Sequence, residues 1–193
     1  SIERILMNNL NIGFNVMTCL SFKDRYNLCL TSKSLFETLF KKYQHNEIIE
    51  IKFEDYRLCD IWRNVKFKIY LKYSNIIDVS MLGKVHTLNL YCCRKIIDVS
   101  MLGNVHTFNL SYCPNITDVL MLGKVHTLNL FCCLKIKDVS MLGNVHTLDL
   151  SNCDNIKDVS MLENVHTLYL YGCYNIKDVS MLGNVHTLDL SNC

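Results

Sequence analysis

The sequence predicts an α+β chain: a small helical module, then a solenoid with a parallel sheet on its concave face and short turns or 3₁₀ segments on its convex face. Three observations carry this. From Met81 onward the 193-residue chain repeats every 20 residues without an insertion, with Met at 81, 101, 121, 141, 161 and 181. Around Leu88 the pattern alternates with period two, as in a strand whose Leu88 and Leu90 point one way while Thr87, Asn89 and Tyr91 point the other. Residues 1–46 carry no trace of the repeat, and Ile12, Val16, Leu20, Leu28 and Leu35 fall at helical spacing.

Composition removes several classes of function. Half the residues are apolar and a fifth are charged, which is globular usage. No apolar stretch approaches the ~20 residues of a membrane-spanning helix. Lys and Arg total 20 against 18 Asp and Glu, too even a balance for a nucleic-acid-binding surface. Eleven Cys form an odd set with no signal peptide before them, so free thiols in a reducing, intracellular and cytoplasmic setting are expected.

Phased from Val85, the unit places Val85, Leu88, Leu90, Cys93 and Ile96 at the spacing V-x-x-L-x-L-x-x-C-x-x-I. This resembles the leucine-rich repeat, with Cys in a slot that the family fills with Asn or Cys. No single unit can bury its apolar side, so units must stack in register about 4.8 Å apart to make a core. After Ile96, Asp98 is placed to accept from the amides of Ser100 and Met101, capping one turn. Twenty residues leave little room for a long helix, hence the 3₁₀ expectation. Gly103 and its equivalents suit a positive φ before the next strand, although Glu163 breaks that column. The Asp-Val-Ser-x-Leu phrase resembles internalin-like repeats, and Cys113 to Asp118 resembles the cysteine-containing repeats of F-box proteins.

Residues 47–80 end on the same phrase, Asn75 to Ser80, but read there with Lys68 in the place of Leu88 and Phe67 in that of Thr87. They are expected to form a degenerate capping repeat, with Trp62 buried at the junction and the solenoid proper over 81–193. Within 1–46, Val16 to Asp24 followed by Asn27 to Leu35 resembles an F-box, although Asn8-Asn9 replaces the family's opening Leu-Pro. The resemblance spans roughly residues 8–40. It implies an adaptor in which Ile12, Phe14, Val16, Met17 and Leu20 face or support a Skp-type subunit of a cullin–RING ubiquitin ligase. An absence of Ala with abundant Asn, Ile, Lys and Tyr suggests AT-rich coding, and F-box/repeat fusions of this style resemble families from amoebae or the large DNA viruses that infect them.

Two columns invite a metal reading: His86, 106, 126, 146, 166 and 186, and Cys93, 113, 133, 153, 173 and 193. His86 and Cys93 lie roughly 20 Å apart along an extended segment, far beyond a shared zinc with its ~2.3 Å bonds. A stacked His ladder and a buried, weakly donating Cys column are expected instead, and neither metal nor cofactor is implied. Cys92 and Cys132 fall outward. Each ionisable type recurs as a copied column, which points to duplicated structure and not to an enzyme's unique reactive centre.

The core columns barely change between units, whereas outward strand positions do. Asn89, Tyr91, Asn109, Tyr112, Asn129, Phe131, Asp149, Asn152, Tyr169, Tyr171 and Asp189 set aromatic rings among amides and carboxylates on the concave face, a mixture suited to a protein partner. The resulting expectation is substrate recognition within a Skp–cullin–F-box ligase, with the target on the concave face. The alternative is a leucine-rich-repeat interaction scaffold unrelated to ubiquitin.

Overall fold

The computed structural model describes residues 48–50, 53, 56 and 66–193. The helical module expected over 1–46, its five Skp-facing residues and Trp62 lie outside the described residues. The chain divides into two compact units, Ser1–Phe67 and Lys68–Cys193. Strand β1 (Ile48–Glu50) belongs to the first.

The second unit is a solenoid. Its strands are β2 (Lys66–Tyr70, whose first residues precede the unit boundary), β3 (Thr87–Asn89), β4 (Thr107–Asn109), β5 (Thr127–Asn129), β6 (Thr147–Asp149), β7 (Thr167–Tyr169) and β8 (Thr187–Asp189). These seven pair in parallel and in sequence order. On the opposite face each unit makes a short 3₁₀ segment, Ser80–Leu82 in the first and Ser180–Asn184 in the last. Between the two faces runs one core, in which Leu90, Cys93, Ile96, Leu102 and Val105 and their copies in the middle units are fully buried. Backbone bonds cross at every step: Leu90 N–H donates to Asn109 O at 2.8 Å and Cys92 N–H to Ser111 O at 2.9 Å.

Three expectations are corrected. In the first unit Lys68 pairs with Thr87 and Ile69 with Leu88, so Lys68 does not take the place of Leu88. The strands there are offset by nineteen residues where later ones are offset by twenty. That shift buries Ile69 completely and spares the lysine ammonium a desolvation it could not recover. Asp98 accepts the amide of Ser100 at 2.8 Å, while the next bond of the turn runs from Leu102 N–H to Val99 O. The Gly column, lastly, does not need positive φ, since Gly103 sits at φ −62°. A Cβ there would run into the carbonyl oxygen of Met121 in the next unit. Close approach of two backbones, not handedness, selects glycine.

Candidate functional site

The sheet face is built from four outward columns. Nearest the strand entry stand the histidines. Their rings stack at centroid separations of 4.5–4.6 Å with interplanar angles of 9–15° from His86 to His186. Each Nδ1 lies 3.1–3.2 Å from the hydroxyl of the following Thr. Partial desolvation, then the neighbours His186 and His146, holds the His166 pKa below its ordinary value. Among the described residues no three His, Cys, Asp or Glu side chains are grouped to hold a metal ion.

The second column is Asn89, Asn109, Asn129, Asp149, Tyr169 and Asp189. The amides and carboxylates in it turn back on their own unit. Their Oδ1 atoms accept the backbone amides of Tyr91, Ser111, Phe131, Ser151 and Ser191 at 2.8–3.0 Å. They also join across units, with Ser111 Oγ 2.6 Å from both Asn109 and Asn129 and Asn129 Nδ2 donating to Asp149 Oδ2 at 3.1 Å. This Asx-turn duty explains why the column varies between Asn and Asp. Tyr169 cannot perform it and instead stands exposed.

The third and fourth columns, positions 91 and 92 and their equivalents, meet as an aromatic ridge. Tyr73 and Tyr91 pack edge to face with centroids 5.3 Å apart, as do Tyr91 and Tyr112 at 5.4 Å, while Tyr112 and Phe131 meet at a tilt of 51° with centroids 5.2 Å apart. Hydrogen bonding to Tyr73 raises the Tyr91 pKa, keeping the phenol protonated. Beyond Phe131 the ridge stops, since Ser151 is buried and Asn152 carries no ring. Tyr171 and Tyr169 form a separate exposed pair in the next unit.

The fourth column has a backbone signature that the sequence reading missed. Tyr73, Cys92, Tyr112, Cys132, Asn152 and Asn192 all have φ of 57–59°, and Gly172 has φ 69°. Asn and Gly adopt this left-handed conformation readily, whereas for a bulky side chain it costs of order 1 kcal/mol or more. The Asn152, Gly172, Asn192 series was the available signal. Inter-unit bonds enforce the conformation, as with Tyr112 N–H to Phe131 O at 2.9 Å. Because of it the Tyr112 ring reaches between Tyr91 and Phe131, which stand two units apart.

Under the sheet lies the Cys column. Each Sγ donates to a carbonyl of the preceding unit at 2.8–3.2 Å. Burial pushes the Cys113 and Cys133 thiols up to about 12 and Cys173 to about 11, so they are protonated donors at neutral pH. Cys92 and Cys132 are half-buried. The expected sheet-face residues thus divide in two. Asn89, Asn109, Asn129, Asp149 and Asp189 are engaged in turn geometry, as is Asn152 at its left-handed position, while Tyr91, Tyr112, Phe131, Tyr169 and Tyr171 present rings.

No protein-family model matches this chain, and no curated protein matches it by sequence. Solved structures do. An internalin, InlF, of Listeria monocytogenes is 20% identical with a TM-score of 0.51, over 69% of this chain and 43% of that one. Internalin C2 of the same species is 22% identical with a TM-score of 0.43, over 71% and 74%. The functional domain of InlJ, which includes a cysteine ladder, is 16% identical with a TM-score of 0.37, over 64% and 38%. The likeness to InlF identifies the fold as an internalin-like leucine-rich-repeat solenoid. This chain spans less than half of InlF's length.

Proposed function

We propose that the solenoid is a protein-interaction scaffold whose partner lies on the sheet face, across the ridge Tyr73–Tyr91–Tyr112–Phe131 and toward Tyr169 and Tyr171. One observation carries this reading. Tyr73 and Tyr112 keep aromatic side chains at left-handed backbone positions where sister units place Cys, Asn or Gly. Local stability alone favours the smaller residues there. The rings so held form a continuous, partly exposed apolar strip among amides, hydroxyls and carboxylates, the mixture found at protein-binding hot spots.

The test compares immobilised wild-type protein with a Tyr91→Ser/Tyr112→Asn/Phe131→Ser variant, in which every new residue is one a sister unit already carries at that column. With folding confirmed by circular dichroism, the variant should lose at least one co-purifying protein. Identical capture by both would overturn the proposal.

A narrower version makes this protein the target-recognition subunit of a Skp–cullin–F-box ligase. It rests on the resemblance of residues 8–40 to an F-box. Recovery of Skp and cullin by the intact chain, abolished by Val16→Asp with Leu20→Asp in a still-folded protein, would support it. No recovery would leave the scaffold without the ubiquitin role.

A further inference from the structure

The turn face changes character halfway along the solenoid. The residue just before the capping Asp reads Ile77, Ile97 and Thr117 in the first three units, then Lys137, Lys157 and Lys177. In the first half, therefore, Asp78, Asp98 and Asp118 follow uncharged neighbours. Ile77, Ile97, Met101 and Met121 are 62–65% exposed there, a row of large apolar side chains open to solvent, and such patches mark interaction sites.

A cavity of about 240 Å³ opens in this stretch, walled by Ile97, Val99, Thr117 and Met121 with Asp98 and Asp118. No basic side chain lines it. Both carboxylates are held in place, Asp98 by the Ser100 amide at 2.8 Å and Asp118 by the Leu120 amide at 2.9 Å. Leu120 stands where the other turns have Ser. Asp98 therefore also accepts a serine hydroxyl, whereas Asp118 has no serine beside it. The volume falls below the roughly 300–1,000 Å³ of pockets for drug-sized ligands and suits one long side chain. An aliphatic stem against Ile97, Val99 and Met121, ending in a cation beside two carboxylates, describes Lys or Arg.

We propose that the turn face from Ile77 to Met121 docks a basic amphipathic segment of a partner protein, seating one Lys or Arg side chain in the cavity against Asp98 and Asp118. The apolar side of the segment covers the exposed Ile and Met row, to which thioether side chains can adapt. In the second half of the solenoid Lys137, Lys157 and Lys177 take the place of Ile97 and Thr117 beside the capping Asp and oppose a basic segment there. This site is distinct from the sheet face and does not depend on the function proposed for that face.

The probe is a labelled helix-forming peptide of about fourteen Leu and Lys residues, roughly 21 Å long and able to cross three units, read by fluorescence anisotropy. Wild-type protein should bind it, and bind a Glu-for-Lys version at least roughly tenfold more weakly. Ile97→Lys with Thr117→Lys, residues that the column already accommodates in three other units, should likewise weaken binding roughly tenfold or more while the protein stays folded. The Tyr91→Ser/Tyr112→Asn/Phe131→Ser variant should bind like wild type. Undiminished binding by Ile97→Lys/Thr117→Lys, no binding by wild type, or loss only in the sheet-face variant would each overturn the proposal. So would a wild-type dimer that the two lysines dissociate without any peptide binding, which would assign the patch to a second copy of this chain.

Discussion

Residues 136–153 and 176–193 are identical at all eighteen positions, yet their environments differ. In the first copy Leu148, Leu150 and Cys153 are fully buried and Val139 is 2% exposed; in the second, Leu188 and Leu190 are half-buried, Cys193 is exposed and Val179 is 37% exposed. What persists is local. Asp138 and Asp178 each accept the amide two residues on at 2.9 Å, and Asp149 and Asp189 do the same at 3.0 and 2.9 Å. The unit therefore encodes its own turns, while the following unit supplies its burial. That is the one-dimensional coupling expected of a stacked solenoid.

The largest test of this difference is a paired truncation. Leu148→Ala should cost about 2–5 kcal/mol, and in a protein of these 193 residues Leu188→Ala less than half as much, because part of that side chain then meets solvent; urea unfolding of both variants measures the gap. Equal losses would mean that burial is not set by the neighbour. Next comes glycine. Gly143→Ala drives a Cβ into the Met161 carbonyl, whereas Gly183 has open space. The first should cost about 1–3 kcal/mol, within what the column tolerates, since Glu163 occupies it at φ −58°. The second should be neutral or gain up to about 1 kcal/mol through the unfolded chain.

Thiol labelling sharpens the comparison without changing stability. Cys193 is exposed and should react with an alkylating reagent in the native protein. Cys153 should react only after unfolding, since it is fully buried and burial raises its pKa. Mass spectrometry after a short alkylation pulse reads both sites. Equal labelling in the native state would contradict the assigned burial.

Titration should produce the smallest effects. The Ser140 and Ser180 amides hold the Asp138 and Asp178 pKa values below the ordinary range. Their contribution is complete above the unfolded value of about 3.9 and is lost as pH falls through the lowered folded values. Being local to each copy, it should be equal in Asp138→Ala and Asp178→Ala. His166 works the other way. Its folded pKa is lowered, so below the unfolded value of about 6.5 the unfolded chain binds more protons and stability falls until the folded pKa is passed. The urea midpoint should be lower at about pH 5.5 than at about pH 7.5, and less so in His166→Gln; identical pH responses in the two proteins would refute the assignment.

Much of this was legible because stacking converts a sequence column into a spatial one. Leu88, Cys93 and Ile96 announced a core, and the His column its ladder, from spacing alone. The Asn and Asp column is legible as outward and polar, but in sequence such a residue looks the same whether it bonds its own backbone or another molecule. Tyr112 reads as an ordinary outward residue until its φ of 58° is known. The one-residue offset of the first unit could not be read from its shared Asn75-to-Ser80 phrase, because the shortening falls between that phrase and the strand.

Composition, period and alternation determined by themselves that the repeats stack as parallel strands with short turns opposite, since units of twenty residues with period-two alternation are too short for helix pairs and bury their leucines by stacking strand on strand. Only the tertiary structure decided which identical residues are buried and which are bare, that the glycines answer to an adjacent backbone, that rings from two columns join into one ridge, and that a carboxylate-rimmed cavity opens on the turn face. Each of those depends on contacts between units, and a neighbour's contribution is written in no single repeat.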